Sequence, residues 1–176
     1  MSNIKKIICI VGMMGVGKTT VGAKLANELG YYFTDSDREI EDSEGDSISS
    51  IFANKGEDYF RVKEFQIISQ ILQREEYMIV SLGGGAFINE NLQEIITERA
   101  NSIWLKASAT EILQRIKKSN NRPLLNHKDK LKIINNLISV RYPIYQKADY
   151  TFETSDISCD KLVKKIIDKL ELKTVY

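Results

Sequence analysis

The stretch Gly12-Met13-Met14-Gly15-Val16-Gly17-Lys18-Thr19 follows the apolar run Ile7-Ile8-Cys9-Ile10-Val11 and opens a segment with helical spacing. Strand, glycine-rich turn and helix in that order match the phosphate-binding P-loop in both sequence and context. The glycines let the backbone curl so that successive N–H groups point inward, and the following helix adds its unpaired N–H groups and the positive end of its dipole. Phosphate oxygens are the natural guest, so the chain is expected to bind a nucleoside triphosphate. The nucleotide contacts fall to Gly15, Val16, Gly17, Lys18, Thr19 and Thr20. Lys18 can reach the β- and γ-oxygens as a point charge on a long stem, and the Thr19 hydroxyl is placed to ligate the magnesium that travels with the nucleotide. The motif names a phosphate donor and leaves the reaction open.

A chain of 176 residues with 43% hydrophobic content fits one compact domain, residues 1–176, and no Pro-, Ser- or Gly-rich stretch reads as a linker. The 25 basic residues stand against 24 acidic ones, so no extended nucleic-acid footprint is expected. The five-residue apolar run before the P-loop is too short for a signal peptide or a membrane span, which predicts a cytoplasmic protein with no membrane partner. Cys9 and Cys159 lack metal-ligand spacing, and Cys9 belongs to the first strand, where a thiol acts as a small hydrophobe. Neither a disulfide nor zinc is expected, and the protein is expected to be a monomer.

Short apolar segments alternate with helix-length ones: Lys5 to Val11, Tyr31 to Thr34, Met78 to Leu82, Ser102 to Lys106 and Tyr150 to Glu153. That rhythm predicts an α/β fold with three layers, in which helices cover both faces of a five-stranded parallel sheet. A first helix should run from about Gly17 to Leu29, with Val21, Leu25 and Leu29 on one stripe and Gly30 as its stop. A longer one from about Asp58 to Arg74 presents Phe65, Ile68, Ile71 and Leu72 to a core and sets Arg61 and Glu64 one turn apart on a shared face. From about 117 to 130 the chain turns polar and basic without a strand of its own, and this stretch reads as a mobile lid inserted between helices.

Asp35-Ser36-Asp37 ends the second strand candidate, and ligands of open parallel sheets gather at the carboxyl ends of strands. Asp35 can hold magnesium through its water shell. Asp37 can accept or direct the proton of a hydroxyl that attacks the γ-phosphate. The alternative is local: Asp37 caps a helix starting near Arg38, and Asp35 is turn chemistry. A generic P-loop enzyme carries its magnesium carboxylate after the third strand, but here Met78-Ile79-Val80-Ser81-Leu82 ends in Gly83-Gly84-Gly85, which leaves Asp35 as the candidate. Three glycines let a substrate approach the backbone closely or simply form a turn. Arg61, Arg122 and Arg141 are the cations suited to bidentate pairing with carboxylate or phosphate. Pro143 should kink the helix that carries Arg141, and Tyr145 lies one turn beyond it. His127, the single histidine, is assigned no chemistry.

Six motifs in order make the chain resemble the shikimate kinases over nearly its whole length. They are Gly12 to Thr19, Phe33 to Asp37, Gly56-Glu57 leading to Phe60-Arg61 with Glu64, Gly83 to Gly85, Arg122-Pro123-Leu124-Leu125, and Arg141 to Tyr145. The resemblance implies a P-loop kinase fold and transfer of the ATP γ-phosphoryl group to the 3-hydroxyl of shikimate with magnesium as cofactor, on the route to chorismate and the aromatic amino acids. It implies that Asp37, Arg61, Gly84 and Arg141 hold shikimate, with both arginines on its carboxylate and Asp37 on its ring hydroxyls. Lys18, Asp37 and Arg122 are the implied catalytic set, with Arg122 on the phosphates. Phe52 and Phe60 match the apolar side of the substrate pocket, Arg115 would stack on the adenine, and Thr154 to Ile157 would form the loop opposite. The rivals are a kinase for gluconate or another small hydroxy acid, a nucleoside monophosphate kinase, and a non-catalytic ATP switch. Two arginines with Asp37 suit a carboxylated polyol, and a switch needs no acceptor pocket.

Overall fold

The computed structural model describes residues 4–118 and 130–175. Five strands, β1 (Ile7–Val11), β2 (Tyr32–Asp35), β3 (Met78–Ser81), β4 (Ala100–Lys106) and β5 (Tyr150–Glu153), form one parallel sheet in the order β2-β3-β1-β4-β5. β1 is central, and all five of its side chains are buried, as a strand covered on both faces requires. The helices are α1 (Lys18–Leu29), α2 (Ser36–Glu44), α3 (Ile48–Ile71), α4 (Glu90–Arg99), α5 (Ala109–Lys118), α6 (Lys130–Tyr145) and α7 (Cys159–Leu170). Right-handed crossovers put α1, which leads towards β2, on the opposite face from the helices that lead back across β1. α1 packs on β2, β3 and α7, while α4 packs on β4 and α3.

Strand ends shift slightly from the sequence reading. β1 starts at Ile7 because the Lys5 N–H goes to the Asn101 side chain at 2.7 Å. β2 starts at Tyr32 because the Tyr31 N–H turns back to the Ala26 carbonyl, closing α1 at Gly30. The larger departure is α3, which begins at Ile48 instead of near Asp58 and is interrupted at Gly56 (φ 82, ψ 173). Its first part is mostly polar on the surface, and its few apolar residues pack in a small separate core of Ile40, Ile51 and Phe60, with Phe52 against Phe60. A helix recognised only by the stripe facing the main core therefore misses it. Pro143 stands in the last turn of α6, two residues before the helix ends.

The parallel register aligns one edge of the sheet. Asp35 of β2 and Ile10 of β1 are both level with Ser81 of β3, so the P-loop, the start of α2 and the Gly83–Gly85 turn emerge side by side. Asp35, Asp37 and the glycine turn of the sequence reading are brought together there. Ser119 to Asp129, and with them Arg122, Pro123 to Leu125 and His127 of the expected lid, lie outside the described residues.

Candidate active site

The nucleotide side begins at the P-loop, where Gly15 (φ 77) and Gly17 (φ 97) adopt backbone conformations that a side chain would strain. Lys18 is 9% exposed, and its ammonium donates to the carbonyls of Gly12 and Met13, both at 3.0 Å, which folds its charge over the loop. The Thr19 hydroxyl donates to Asp35 Oδ2 at 2.7 Å and lies 3.4 Å from the Ser81 hydroxyl. The other oxygen of Asp35 accepts the Asp37 N–H at 3.1 Å, so Asp35 is the cap of α2 and Asp37 is the second residue of the helix. The capping role considered for Asp37 thus belongs to Asp35. A carboxylate can cap and still offer an oxygen to a metal's water shell.

Fit to magnesium can be judged from the donors. No cluster of three or more His, Cys, Asp or Glu stands among the described residues. Thr19 and Asp35 supply adjacent hard oxygens, with the Ser81 hydroxyl beside them, which suits an ion that keeps several waters and takes the rest of its shell from phosphates.

The acceptor side is organised by the triple glycine. A Cβ at Gly83 would lie 2.5 Å from Asp37 Oδ1 and 3.1 Å from Glu64 Oε1. At Gly84 it would lie 3.4 Å from Arg141 Nη1 and 3.6 Å from the Met14 nitrogen of the P-loop, and at Gly85 2.6 Å from Arg61 Nη1. Two carboxylates and two guanidinium groups from α2, α3 and α6 therefore converge on a turn that is free of side chains and abuts the P-loop. The glycines are needed here for space. Ser36, fully buried, accepts the Gly83 N–H at 2.9 Å, and the Gly84 carbonyl accepts Arg141 Nη1 at 3.2 Å and the Tyr145 hydroxyl.

Arg61 is gripped from its own helix, by Glu64 at 2.8 Å and by Glu57 at 3.0 Å. Glu64 is 2% exposed; burial pushes its carboxyl up from the usual range, Arg61 pulls the other way, and Asp37 adds to the rise. Burial likewise raises the Tyr145 hydroxyl to about 12, so it stays a donor at neutral pH. Phe60 is buried and Phe52 half-buried, both in the small core beside the site.

Arg115 reaches across from α5. Its Nη1 donates to the Val16 carbonyl and the Thr154 hydroxyl, each at 3.0 Å, and its Nη2 to the Thr154 carbonyl at 2.9 Å. The two segments proposed for the adenine end are thereby joined to each other and to the P-loop. Ser36 and Tyr145 also stand at this turn, and motif reading assigns neither a role, whereas the Arg61–Glu64 pair is one the sequence itself offers to a ligand. The three-residue spacing from Arg61 pointed to Glu64, but its burial follows from tertiary packing alone, and Ser36 carried no signal beyond lying between two aspartates.

Comparison with known proteins points to one family. The family model described as "Shikimate kinase" matches residues 14–171. A shikimate kinase of Caulobacter vibrioides is 42% identical over 165 residues, covering 94% of this chain and 82% of the relative. One of Rhodopseudomonas palustris is 41% identical over 163 residues, covering 93% and 80%. Among solved structures, a shikimate kinase from Acinetobacter baumannii in complex with shikimate superposes with a TM-score of 0.90 at 35% identity, over 96% of this chain and 94% of that one.

Proposed function

Since the chain belongs to the shikimate kinase family, we propose that the edge formed by the P-loop, α2 and the triple glycine is the two-substrate site of that kinase, with the residue roles that follow. The enzyme transfers the γ-phosphoryl group of ATP to shikimate, giving shikimate 3-phosphate and ADP, with magnesium as cofactor. The observation that carries the residue assignment is the convergence of Asp37, Arg61 and Arg141 on Gly83–Gly85 beside the P-loop.

Arg61 and Arg141 hold the carboxylate of shikimate, because planar guanidinium groups pair with it in two hydrogen bonds each. Gly84 lies under the acceptor, where any side chain would stand between the arginines and the P-loop. Asp37 directs the attacking hydroxyl and takes its proton as the O–P bond forms. Lys18 leaves the Gly12 and Met13 carbonyls for the phosphate oxygens and spreads the charge of the transferring group. Thr19 and, through water, Asp35 would hold magnesium, which would supply further neutralisation of the phosphates. The role of Arg122 on the phosphates is carried by the family resemblance.

The acceptor's carboxylate suits the residue set better than a neutral polyol would, since planar guanidinium groups pair bidentately with carboxylates. We read the whole chain as a single domain that acts as a monomer in the cytoplasm. The main core, which takes residues from β1 through α7, supports the first part. No helix among the described residues is long and apolar enough to cross a membrane. A coupled ADP-release assay with ATP and shikimate tests the activity: turnover must rise above the shikimate-free rate, and a gluconate control must not match it. Equal rates with and without shikimate would end this reading.

A further inference from the structure

Glu44, the last residue of α2, gathers three donors on one carboxylate. Lys55 Nζ donates to Oε2 at 2.7 Å, the Tyr59 hydroxyl to Oε2 at 2.8 Å, and Lys63 Nζ pairs with Oε1 at 3.0 Å. Both ammonium groups also stand over the Tyr59 ring, 4.6 and 5.9 Å from its centroid. Isolated surface ion pairs contribute little. This one differs because the Glu44 side chain is only 6% exposed and its donors come from two pieces of helix. Hydrogen bonds from Lys55, Lys63 and Tyr59 hold the Glu44 carboxyl down at about 2, so it is charged across the working range.

Those donors straddle the interruption of α3. Lys55 precedes Gly56, whereas Tyr59 and Lys63 follow it. At φ 82 and ψ 173 Gly56 sits in a region open to glycine alone, and a Cβ there would meet nothing within 4 Å, so contacts at that residue do not set the angle between 48–55 and 57–71. The small core of Ile40, Ile51 and Phe60 joins the same pieces, but apolar contact is non-directional. Charge-assisted hydrogen bonds supply the direction. Arg61 lies two residues from both Tyr59 and Lys63, hence about 200° round the helix from each. Tying the Tyr59–Lys63 face to Glu44 turns the opposite face, with Arg61, towards Gly85.

We infer that Glu44 is a positioning residue of the acceptor site, fixing the bend of α3 at Gly56 and through it the pose of Arg61. The inference rests on Arg61 holding the acceptor's carboxylate. Steady-state kinetics of Glu44→Ala, Arg61→Ala and the double variant test it. Glu44→Ala should raise the shikimate KM about fivefold to tenfold and leave the ATP KM within about twofold, and in the Arg61→Ala background it should add less than about twofold, since the two act as one unit. Tyr59→Phe keeps the ring, removes one donor and should shift the shikimate KM in the same direction by about twofold, which preserves the test if Glu44→Ala does not fold. An unchanged shikimate KM with only a lowered melting temperature would mark Glu44 as a plain structural residue and overturn the inference. Full multiplication of the two single effects would overturn it as well. If Arg61→Ala leaves the shikimate KM unchanged, the assignment of Arg61 fails first and the inference goes with it. If Arg61→Ala raises the KM and Glu44→Ala does not, the inference alone fails.

Discussion

The Thr19 hydroxyl donates to Asp35 Oδ2 at 2.7 Å, linking the first turn of α1 to the cap of α2 across the edge of the sheet. This single contact places two hard oxygens side by side, and it gives Asp35 two separable duties. Asp35→Asn keeps an oxygen for the Asp37 N–H but removes the charge. It should raise the magnesium concentration needed for half-maximal rate about tenfold while moving stability by less than about 0.5 kcal/mol. Asp35→Ala loses the cap as well and should cost about 1 kcal/mol more. Magnesium titrations of rate together with thermal melts check both, and a variant Asn enzyme with an unaltered magnesium requirement would remove Asp35 from the metal site.

Gly83 and Gly85 offer a steric way to separate the two halves of acceptor handling. An added methyl at Gly83 meets the Asp37 carboxylate at 2.5 Å, and one at Gly85 meets the Arg61 guanidinium at 2.6 Å. The atoms displaced are ends of flexible side chains, so the fold should survive, but these ends are the groups proposed to handle the acceptor. Gly83→Ala should lower kcat chiefly, following Asp37→Asn, which is expected to cost about 10³-fold in turnover with ATP binding kept within about twofold. Gly85→Ala should raise the shikimate KM chiefly. Equal kinetic signatures for the two alanines would mean that Asp37 and Arg61 do not divide the work in this way.

Glu64 and Glu44 give the enzyme opposed pH dependences. Burial raises the Glu64 carboxyl, so the folded chain takes up that proton more readily than the unfolded one, and ionising Glu64 lowers stability as pH rises through 4.5 towards its raised value. Glu44, lowered to about 2, contributes stability that is complete above about 4.5 and disappears as pH falls towards 2. Melting temperatures across this range should therefore show a shallower decline on the rising side for Glu64→Gln and a shallower loss on the acid side for Glu44→Gln. Parallel curves for wild type and Glu64→Gln would contradict the burial argument.

How far these relationships could be read from sequence depends on whether they are local. The P-loop, the strand rhythm, the Gly30 stop and the Arg61–Glu64 pair are set by spacing within a few residues, and the described structure has them in place. The first half of α3 was not legible because Ile51 and Phe52 bury against Ile40 and Phe60, outside the main core. The sequence leaves the cap of α2 open, with Asp37 as the alternative to a catalytic reading, because β2 runs one residue further than its apolar run, and pairing with Ser81 decides that end in favour of Asp35 as the cap. The Arg61–Glu64 spacing is legible in the sequence, but the burial of Glu64 against the Gly83 turn is not. Each concerns a contact between separate elements, from neighbours in the chain such as α2 and α3 to strands far apart in sequence such as β2 and β3.

Arg115 shows what such a long-range contact contributes to the nucleotide side. Its fork joins the Val16 carbonyl in the P-loop to both oxygens of Thr154, so it holds the P-loop against the segment that follows β5. Lysine carries the same charge on a single point and cannot make the three bonds at once. Arg115→Lys should therefore behave almost like Arg115→Ala, each raising the ATP KM about tenfold while the shikimate KM stays within about twofold. Initial rates over a grid of both substrates measure this directly. Full rescue by lysine would reduce Arg115 to a nearby positive charge, and a rise in the shikimate KM would mean that the clamp supports the acceptor turn instead of the donor loop.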